Sequence, residues 1–133
     1  MKIKTNGDKI DVPESIGHKY FPFRYIPIDY LNGVKAKKHK RIGVFARKGC
    51  KCCVPGCEHE GVFLIVGLSK KGDFHIDLYT KDFMLMTVDH RKPLGEGGED
   101  NWENKYPMCN NHNAKKGQQN YEEFLQSLNK TNN

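Results

Sequence analysis

The residue types best suited to catalysis lie in one short stretch, residues 89–116, which reads DHRKPLGEGGEDNWENKYPMCNNHNAKK. Asp89 and His90 are adjacent at its start, Asn104 lies in its middle, and Asn113 lies near its end. Carboxylate and amide oxygens are ligands that suit Mg²⁺, and an imidazole can take a proton near neutral pH. Hydrolysis of a phosphodiester needs a base that activates water and a cation on the phosphate. The stretch therefore holds the residue types of a metal-assisted hydrolytic site.

Taken one at a time, these residues have ordinary structural explanations. A histidine after a strand is more often a surface residue than a base, and an asparagine at a helix start is more often a cap. Asn104 alone would be a turn residue. The conjunction of all of them in this order, interleaved with a cysteine–histidine pair, is what favours catalysis.

That pair of metal-ligand residues is Cys109 and His112, and it is the only such pair downstream of a dense group of cysteines. The group consists of Cys50, Cys52, Cys53 and Cys57. Two short-spaced ligand pairs, each on a tight turn, form a tetrahedral zinc site, and the zinc supplies folding free energy that a small core lacks. We therefore predict one structural Zn²⁺ site that joins the two segments.

The upstream half of this zinc site has more than one solution. We predict Cys52 and Cys57 as the ligands, because the Pro-Gly turn just before Cys57 lets backbone amides point at its sulfur. Cys53 is the alternative ligand, since its spacings to neighbouring cysteines are also compatible with zinc. The remaining candidates are His59, which could compete, and Cys50, which we do not expect to bind.

The strands that should position these residues are visible as apolar runs. Residues 62–68 are predicted to form a buried strand, residues 69–73 a hairpin turn, and residues 74–80 the alternating partner strand. A third strand over residues 83–88 delivers the Asp-His pair at its end. The glycine-rich loop at residues 95–100 follows.

Two helices are predicted after that loop. A short helix at about residues 110–116 should end at Gly117, which suits a C-cap. Asn120 is a suitable N-cap for a final helix, with Glu123 in the capping-box position. The apolar face that would dock this helix on the core consists of Tyr121, Phe124, Leu125 and Leu128.

The N-terminal part, residues 1–48, is predicted to be a basic and aromatic extension. Residues 1–16 indicate a short strand or a loose arm. Residues 17–30 indicate an extended segment, because Pro22 and Pro27 exclude a regular helix. We expect the aromatic rings to cover one edge of the core, and the alternative is that they line a nucleic-acid groove.

A basic helix is predicted at about residues 35–48, within a segment from Leu31 to Cys57 that has no acidic residue. A long run of one sign is better explained by phosphate contacts than by a solvated helix face. The formal net charge of +6 and the pI of about 9.0 agree with a polyanionic partner. The residues of this segment predicted to contact DNA phosphates are Lys37, Lys38, Lys40, Arg41 and Arg47.

A chain of 133 residues fits one domain, which we divide into the N-terminal extension, a core at residues 49–117 and a C-terminal helix at residues 118–133 packed on that core. The N-terminus has no apolar run of signal-peptide length, and no window is long enough to span a membrane. We therefore expect a cytoplasmic, reducing compartment. In that reducing compartment, clustered cysteines indicate a metal site more than disulfides.

The pattern DH-x2-P-x3-GG-x5-N-x4-C-x2-H-N-x2-K resembles the HNH endonuclease family, and the resemblance covers residues 49–117. The hairpin that leads into the pattern is similar to small phage-encoded members, including homing and recombination endonucleases of phages. The resemblance implies an α+β fold, with a ββα-metal (His-Me finger) core, a structural zinc site, an extra β-hairpin and flanking helices. It also implies metal-dependent hydrolysis of DNA, with duplex DNA as the expected partner and Mg²⁺ or Mn²⁺ as the catalytic ion.

Carried over residue by residue, the resemblance implies that His90 is the general base. Asp89 and Asn113 would hold the divalent ion, and Asn104 would brace the loop so that the His90 ring is oriented. The residues implied to lie near a phosphate are Arg91 and Lys116.

Two positions depart from the usual family pattern. Asn113 stands in place of a histidine, which implies Mg²⁺ or Mn²⁺ with fewer protein ligands, and His112 stands in place of a cysteine zinc ligand. The alternative function is a zinc-containing nucleic-acid-binding module without catalysis, and the third is a thiol redox protein that uses the upstream cysteines. Monomer and homodimer both stay open, as do nicking and double-strand cutting.

Overall fold

The computed structural model describes residues 2–5, 8–34 and 40–131, in which strands and helices are mixed along the chain. The strands are β1 (Lys2–Thr5), β2 (Asp8–Asp11), β3 (Phe23–Pro27), β4 (Phe63–Leu68), β5 (Phe74–Tyr79), β6 (Met86–His90) and β7 (Lys105–Cys109). The helices are α1 (Glu14–Lys19), α2 (Lys40–Lys48), α3 (Asn110–Lys116) and α4 (Tyr121–Thr131). Short 3-10 segments lie at Ile28–Gly33, Leu94–Glu96 and Trp102–Asn104. This mixture of helices and antiparallel strands confirms the predicted α+β class.

The strands form three antiparallel sheets within the described residues. β1 pairs with β2, β4 lies between β3 and β5, and β6 pairs with β7. In the last pair His90 is opposite Lys105, and Met86 is opposite Cys109. Because α3 begins directly after β7, the segment from β6 to α3 is a ββα unit, as the sequence resemblance implied.

The three-stranded sheet is buried on both faces because it lies between two apolar clusters. Leu64 and Val66 of β4 belong to the larger cluster, together with residues of α2 and α4. Phe63 and Ile65 belong to the smaller cluster, together with Ile16 of α1. A strand with two buried faces is apolar at every position, which is why residues 62–68 show no alternation.

The β4–β5 hairpin is confirmed, whereas the third strand begins later than predicted. Phe83 has a φ of 63°, so the chain turns there, and β6 begins only at Met86. β6 ends with Asp89 and His90, as expected. β7 was not predicted. It contains a central proline, Pro107, which the two-stranded sheet accommodates because β7 is an edge strand.

The N-terminal part is more regular than predicted. α1 was not predicted, and the expectation of an extended segment over residues 17–30 is wrong at both ends: residues 17–19 are in α1, and residues 28–30 are in a 3-10 segment. The helix follows Pro13, buries Ile16, and ends before the prolines that prompted the prediction. β3, which was assigned to the extension, pairs with β4, so a sheet crosses the predicted division after residue 48.

A buried carboxylate connects this N-terminal part to the sheet. The Asp77 side chain on β5 is 1% exposed and lies 2.9 Å from Arg41 Nη2 of α2 and 3.3 Å from Lys19 Nζ of α1. The Tyr20 hydroxyl donates a hydrogen bond to the same carboxylate and lies 2.9 Å from the Tyr79 hydroxyl. Burial, followed by the hydrogen bond to Asp77, strongly raises the pKa of Tyr20.

The basic helix corresponds to α2, and its predicted first residues, 35–39, lie outside the described part of the chain. Ile42 and Phe45 anchor α2 in the larger apolar cluster. Among the described residues, no helix has the length and apolar character needed to cross a membrane.

α3 has the predicted bounds, and Gly117 and Asn120 have the predicted positions at the helix ends, although Asn120 contacts Glu122 rather than forming the predicted capping box with Glu123. α3 ends at Lys116, and Gly117 follows with a φ of 54°, in the region that favours glycine. The Asn120 side chain accepts a hydrogen bond from the Glu122 N–H at 2.9 Å and so caps α4. Tyr121 and Phe124 are buried, and α4 therefore docks on the core through its predicted apolar face.

Candidate active site and metal centre

The ββα unit brings three of the predicted catalytic residues, Asp89, His90 and Asn113, to one cavity of about 300 Å³, whereas Asn104 does not line it. Asp89 and His90 enter it from the end of β6, and Asn113 enters it from the middle of α3. Lys116, one helical turn after Asn113, lines the same cavity. Two segments distant in sequence thus meet because β7 ends opposite the start of β6 and α3 then runs back along β6 towards its end.

The Asp89 carboxylate is 3% exposed and uses only one of its oxygens. Its Oδ1 atom lies 2.9 Å from Lys116 Nζ, which is itself almost completely buried. Its Oδ2 atom is buried and has no hydrogen-bond partner among the described residues. A buried carboxylate oxygen without a partner is costly and calls for a ligand. Asp89 therefore has an oxygen available for a divalent cation, and the donor chemistry fits Mg²⁺ or Mn²⁺.

The side chain of Asn113 is oriented by the strand that faces it. Its Nδ2 donates to Thr87 Oγ1 at 2.7 Å, and Thr87 Oγ1 in turn donates to the Met108 carbonyl at 2.7 Å. With the nitrogen engaged, Oδ1 is the Asn113 atom suited to a cation. Sequence reasoning missed Thr87, although strand alternation places it on the same side of β6 as Asp89.

Asn104 braces the loop that follows β6, as the resemblance implied. Its Oδ1 accepts from the Lys92 N–H at 2.9 Å, and its Nδ2 donates to the carbonyls of Lys92 at 2.9 Å and Glu99 at 2.8 Å. Gly98 lies so close that a Cβ there would be 1.9 Å from the Lys92 carbonyl oxygen. The loop next to His90 is therefore fixed by one asparagine and one required glycine.

The His90 ring has a carboxylate partner that the sequence did not reveal. Its Nε2 lies 3.1 Å from Asp100 Oδ1, and the same oxygen lies 2.6 Å from Lys105 Nζ. A carboxylate at Nε2 favours the tautomer with its hydrogen on that nitrogen. Nδ1 is then the nitrogen that can accept a proton.

The two residues implied to lie near a phosphate have other partners in this structure. The Arg91 guanidinium lies over the rings of Tyr106, at 3.5 Å from the centroid, and Tyr121, at 4.5 Å. Lys116 is paired with Asp89 inside the cavity. Neither side chain is presented on an open surface, and their contact with phosphate stays a prediction.

The predicted phosphate contacts of the basic helix differ in their placement. Arg41 is half-exposed and pairs with the buried Asp77, whereas Arg47 is exposed and lies over the Trp102 ring at 4.3 Å. Lys40 is the first residue of α2, and its side chain is not among those described. Lys37 and Lys38 lie outside the described residues.

The predicted zinc ligands come together in a second cluster, next to the first turn of α3. The ligand atoms of Cys52, Cys57, Cys109 and His112 all lie within 4.8 Å of one another. His112 Nδ1 is 3.4 Å from Cys109 Sγ and 3.7 Å from Cys52 Sγ. Sulfur ligands at about 2.3 Å from a tetrahedral zinc are about 3.8 Å apart, so the spacing fits a Cys₃His zinc site.

The alternative ligands lie outside that cluster. Cys50 and Cys53 are not part of the group. The backbone carbonyl of Cys53 accepts a hydrogen bond from the Tyr121 hydroxyl at 3.1 Å. His59 Nδ1 lies 3.4 Å from Cys57 Sγ, which places it beside the cluster as a hydrogen-bonding neighbour. The arrangement favours the predicted pair, Cys52 and Cys57, over the Cys53 alternative.

Burial shifts the titration of these ligand groups in the metal-free protein. Burial raises the pKa of Cys52 to about 12 and also raises the pKa of Cys109. Burial, followed by the positive charge of Lys115, lowers the pKa of His112, so its ring is neutral near pH 7. Zinc binding must therefore displace thiol protons, while the imidazole is already in its ligand form.

The ββα unit, with its Asp-His pair, bracing asparagine and Cys₃His cluster, has the arrangement that the sequence resemblance implied. Residues 71–119 match the family model described as HNH endonuclease. The match runs from within the β4–β5 turn to just past α3, and it includes every predicted catalytic residue. It is shorter than the expected range, 49–117, and leaves Cys52 and Cys57 outside.

The comparison with curated proteins gave no match to this chain. The comparison with solved structures also gave none.

Proposed function

We propose that this protein is a metal-dependent endonuclease that hydrolyses phosphodiester bonds of DNA. The observation that carries the proposal is the convergence of Asp89, His90 and Asn113 on one cavity, in which a buried oxygen of Asp89 has no partner among the described residues. The match of this segment to a family of endonucleases supports the same chemistry.

The proposed roles follow from the geometry of the side chains. His90 takes a proton from the attacking water at Nδ1, and Asp100 holds the opposite nitrogen. Asn104 keeps the adjoining loop in place, so that the imidazole does not turn away. Asp89 and Asn113 hold the divalent ion, which when bound stabilises negative charge on the phosphate and the leaving oxygen.

A structural zinc at the Cys₃His cluster would stabilise the start of α3, the helix that carries Asn113. Cys109 and His112 lie at the start of α3, and Asn113 is the next residue of that helix. Cys52 and Cys57 tie the same turn to the loop that precedes β4. Zinc at this cluster fixes the position from which Asn113 reaches the cavity, and we assign it no chemical step.

We propose duplex DNA as the substrate. A formal net charge of +6 gives the protein a general attraction to polyanions. Arg47 is exposed on α2 next to the loop of the ββα unit, because it stacks on Trp102. The cavity and this basic helix would then contact neighbouring parts of one DNA molecule.

The experiment is cleavage of supercoiled plasmid by purified protein with Mg²⁺, with Mn²⁺ and with EDTA. We expect cleavage with either ion and none with EDTA. Asp89→Asn and Asn113→Ala should each abolish most of the activity, while Asn129→Ala, at an exposed position of α4, should not. Binding of plasmid without cleavage under every condition would contradict the proposal and favour a zinc-containing DNA-binding module.

A further inference from the structure

The ion pair between Asp89 and Lys116 has a consequence for the charge of the cavity. Their side chains are 3% and 2% exposed, and the paired atoms are 2.9 Å apart. The other polar side chains that line the cavity are His90, Asn113 and Gln118. Among the described residues that line the cavity, the carboxylate of Asp89 and the ammonium of Lys116 carry opposite formal charges, and these charges cancel.

A cavity without net charge is a weak site for a free divalent cation. Asp89 attracts the ion through its free Oδ2 atom, but the Lys116 ammonium on Oδ1 of the same carboxylate repels it. Burial strengthens both effects, because solvent screens neither of them well. Asn113 is uncharged, so its amide oxygen attracts the cation only as a dipole. This attraction does not make up for the repulsion by Lys116.

We infer that Lys116 keeps the affinity of the DNA-free protein for divalent ions low, so that the ion is bound firmly only together with a DNA phosphate. The inference rests on the proposed function, since it concerns the same cation site. A phosphate brings the negative charge that the paired Asp89 lacks. Lys116 thus acts on the affinity of the cation site, through Asp89, rather than as a surface contact for DNA.

The direct test is the dissociation constant for Mn²⁺ of the DNA-free protein, measured by the electron paramagnetic resonance signal of free Mn²⁺. Lys116→Met removes the charge and keeps the length of the side chain. Lys115→Met is the matched control, because Lys115 is exposed on the same helix and does not line the cavity. We expect Lys116→Met to bind Mn²⁺ at least about tenfold more tightly than wild type, and Lys115→Met to stay within about twofold.

A double variant shows whether the gain acts through Asp89. In an Asp89→Asn background, the substitution Lys116→Met should no longer tighten Mn²⁺ binding. Lys116→Gln gives a second neutral side chain if Lys116→Met does not fold, as judged by zinc content and circular dichroism. The inference is overturned if Lys116→Met and Lys116→Gln bind Mn²⁺ no better than Lys115→Met, or if the gain persists without the Asp89 carboxylate.

The outcome is separable from that of the proposed function. Wild-type protein that cleaves plasmid with Mg²⁺, while Lys116→Met gains no affinity, would refute the inference and leave the function standing. Wild-type protein that never cleaves plasmid would refute the function, whatever the Mn²⁺ titrations give.

Discussion

Replacing Asn104 should change the geometry of the loop beside His90 while having little effect on the stability of the whole protein. Its side chain makes three hydrogen bonds, of 2.8 to 2.9 Å, that join Lys92 to Glu99 across the loop beside His90. In Asn104→Asp the oxygen that accepts from the Lys92 N–H remains. The amide group that donates to two carbonyls is replaced by a charged oxygen, which repels both of them.

The expected size of the effect can be worked out from these contacts. A neutral hydrogen bond contributes about 1 kcal/mol net, so the loss of two costs about 2 kcal/mol of loop stability. The loop lies at the surface and contributes little to the core, so the global free energy of unfolding should fall by no more than that amount. A base displaced by about 1 Å can lose about a hundredfold in rate.

The assay is the single-turnover rate of cleavage of a labelled DNA duplex, together with urea unfolding of each variant. We expect Asn104→Asp to lose about a hundredfold in rate while still folded, and Asn104→Ala to lose less because it adds no repulsion. Asn129→Asp introduces the same charge at an exposed position and should cleave like wild type. A wild-type rate for Asn104→Asp would refute the bracing role.

Four further outcomes are expected. Cys57→Ser should lose zinc and unfold at moderate temperature, because a structural zinc contributes about 10 kcal/mol or more, whereas mass spectrometry should show that Cys50→Ser keeps its zinc. The zinc affinity of the wild-type protein should fall as the pH is lowered, because protons compete with zinc for thiols whose pKa burial has raised. Asp100→Asn should lower kcat about tenfold with little change in KM, because it weakens the hold on His90, and a wild-type kcat would contradict that role. Asp77→Ala should lower the free energy of unfolding by about 2 kcal/mol in urea titrations, since two half-exposed cations lose a buried partner, and cleavage by the folded protein should be unchanged.

The catalytic residues could be predicted because the chemistry is encoded locally. Asp89 and His90 follow an apolar strand, and Asn113 follows the zinc-ligand pair in a short helix, so the order along the chain already defines the site. The hairpin of β4 and β5 and the cap at Asn120 were predictable for the same reason, since each depends on a few neighbouring residues.

The features that were missed depend on contacts between distant segments. β7 contains Pro107 and pairs only as an edge strand, and α1 is a short helix stabilised by the burial of Ile16 against the sheet. Nothing local indicates that Lys116 pairs with Asp89 or that Asp100 contacts His90, because both pairs form only when the ββα unit has closed. Arg91 was expected at a phosphate for its charge, yet two aromatic rings from β7 and α4 hold its guanidinium.

The central claim is that His90 acts as the base of a DNA hydrolase, and one measurement addresses it most directly. The single-turnover cleavage rate of a DNA duplex with Mg²⁺ should fall by about 10² to 10⁴ in His90→Ala, with zinc content and folding unchanged. His18→Ala, at an exposed histidine of α1, should cleave like wild type. A folded, zinc-containing His90→Ala protein that cleaves at the wild-type rate would contradict the claim.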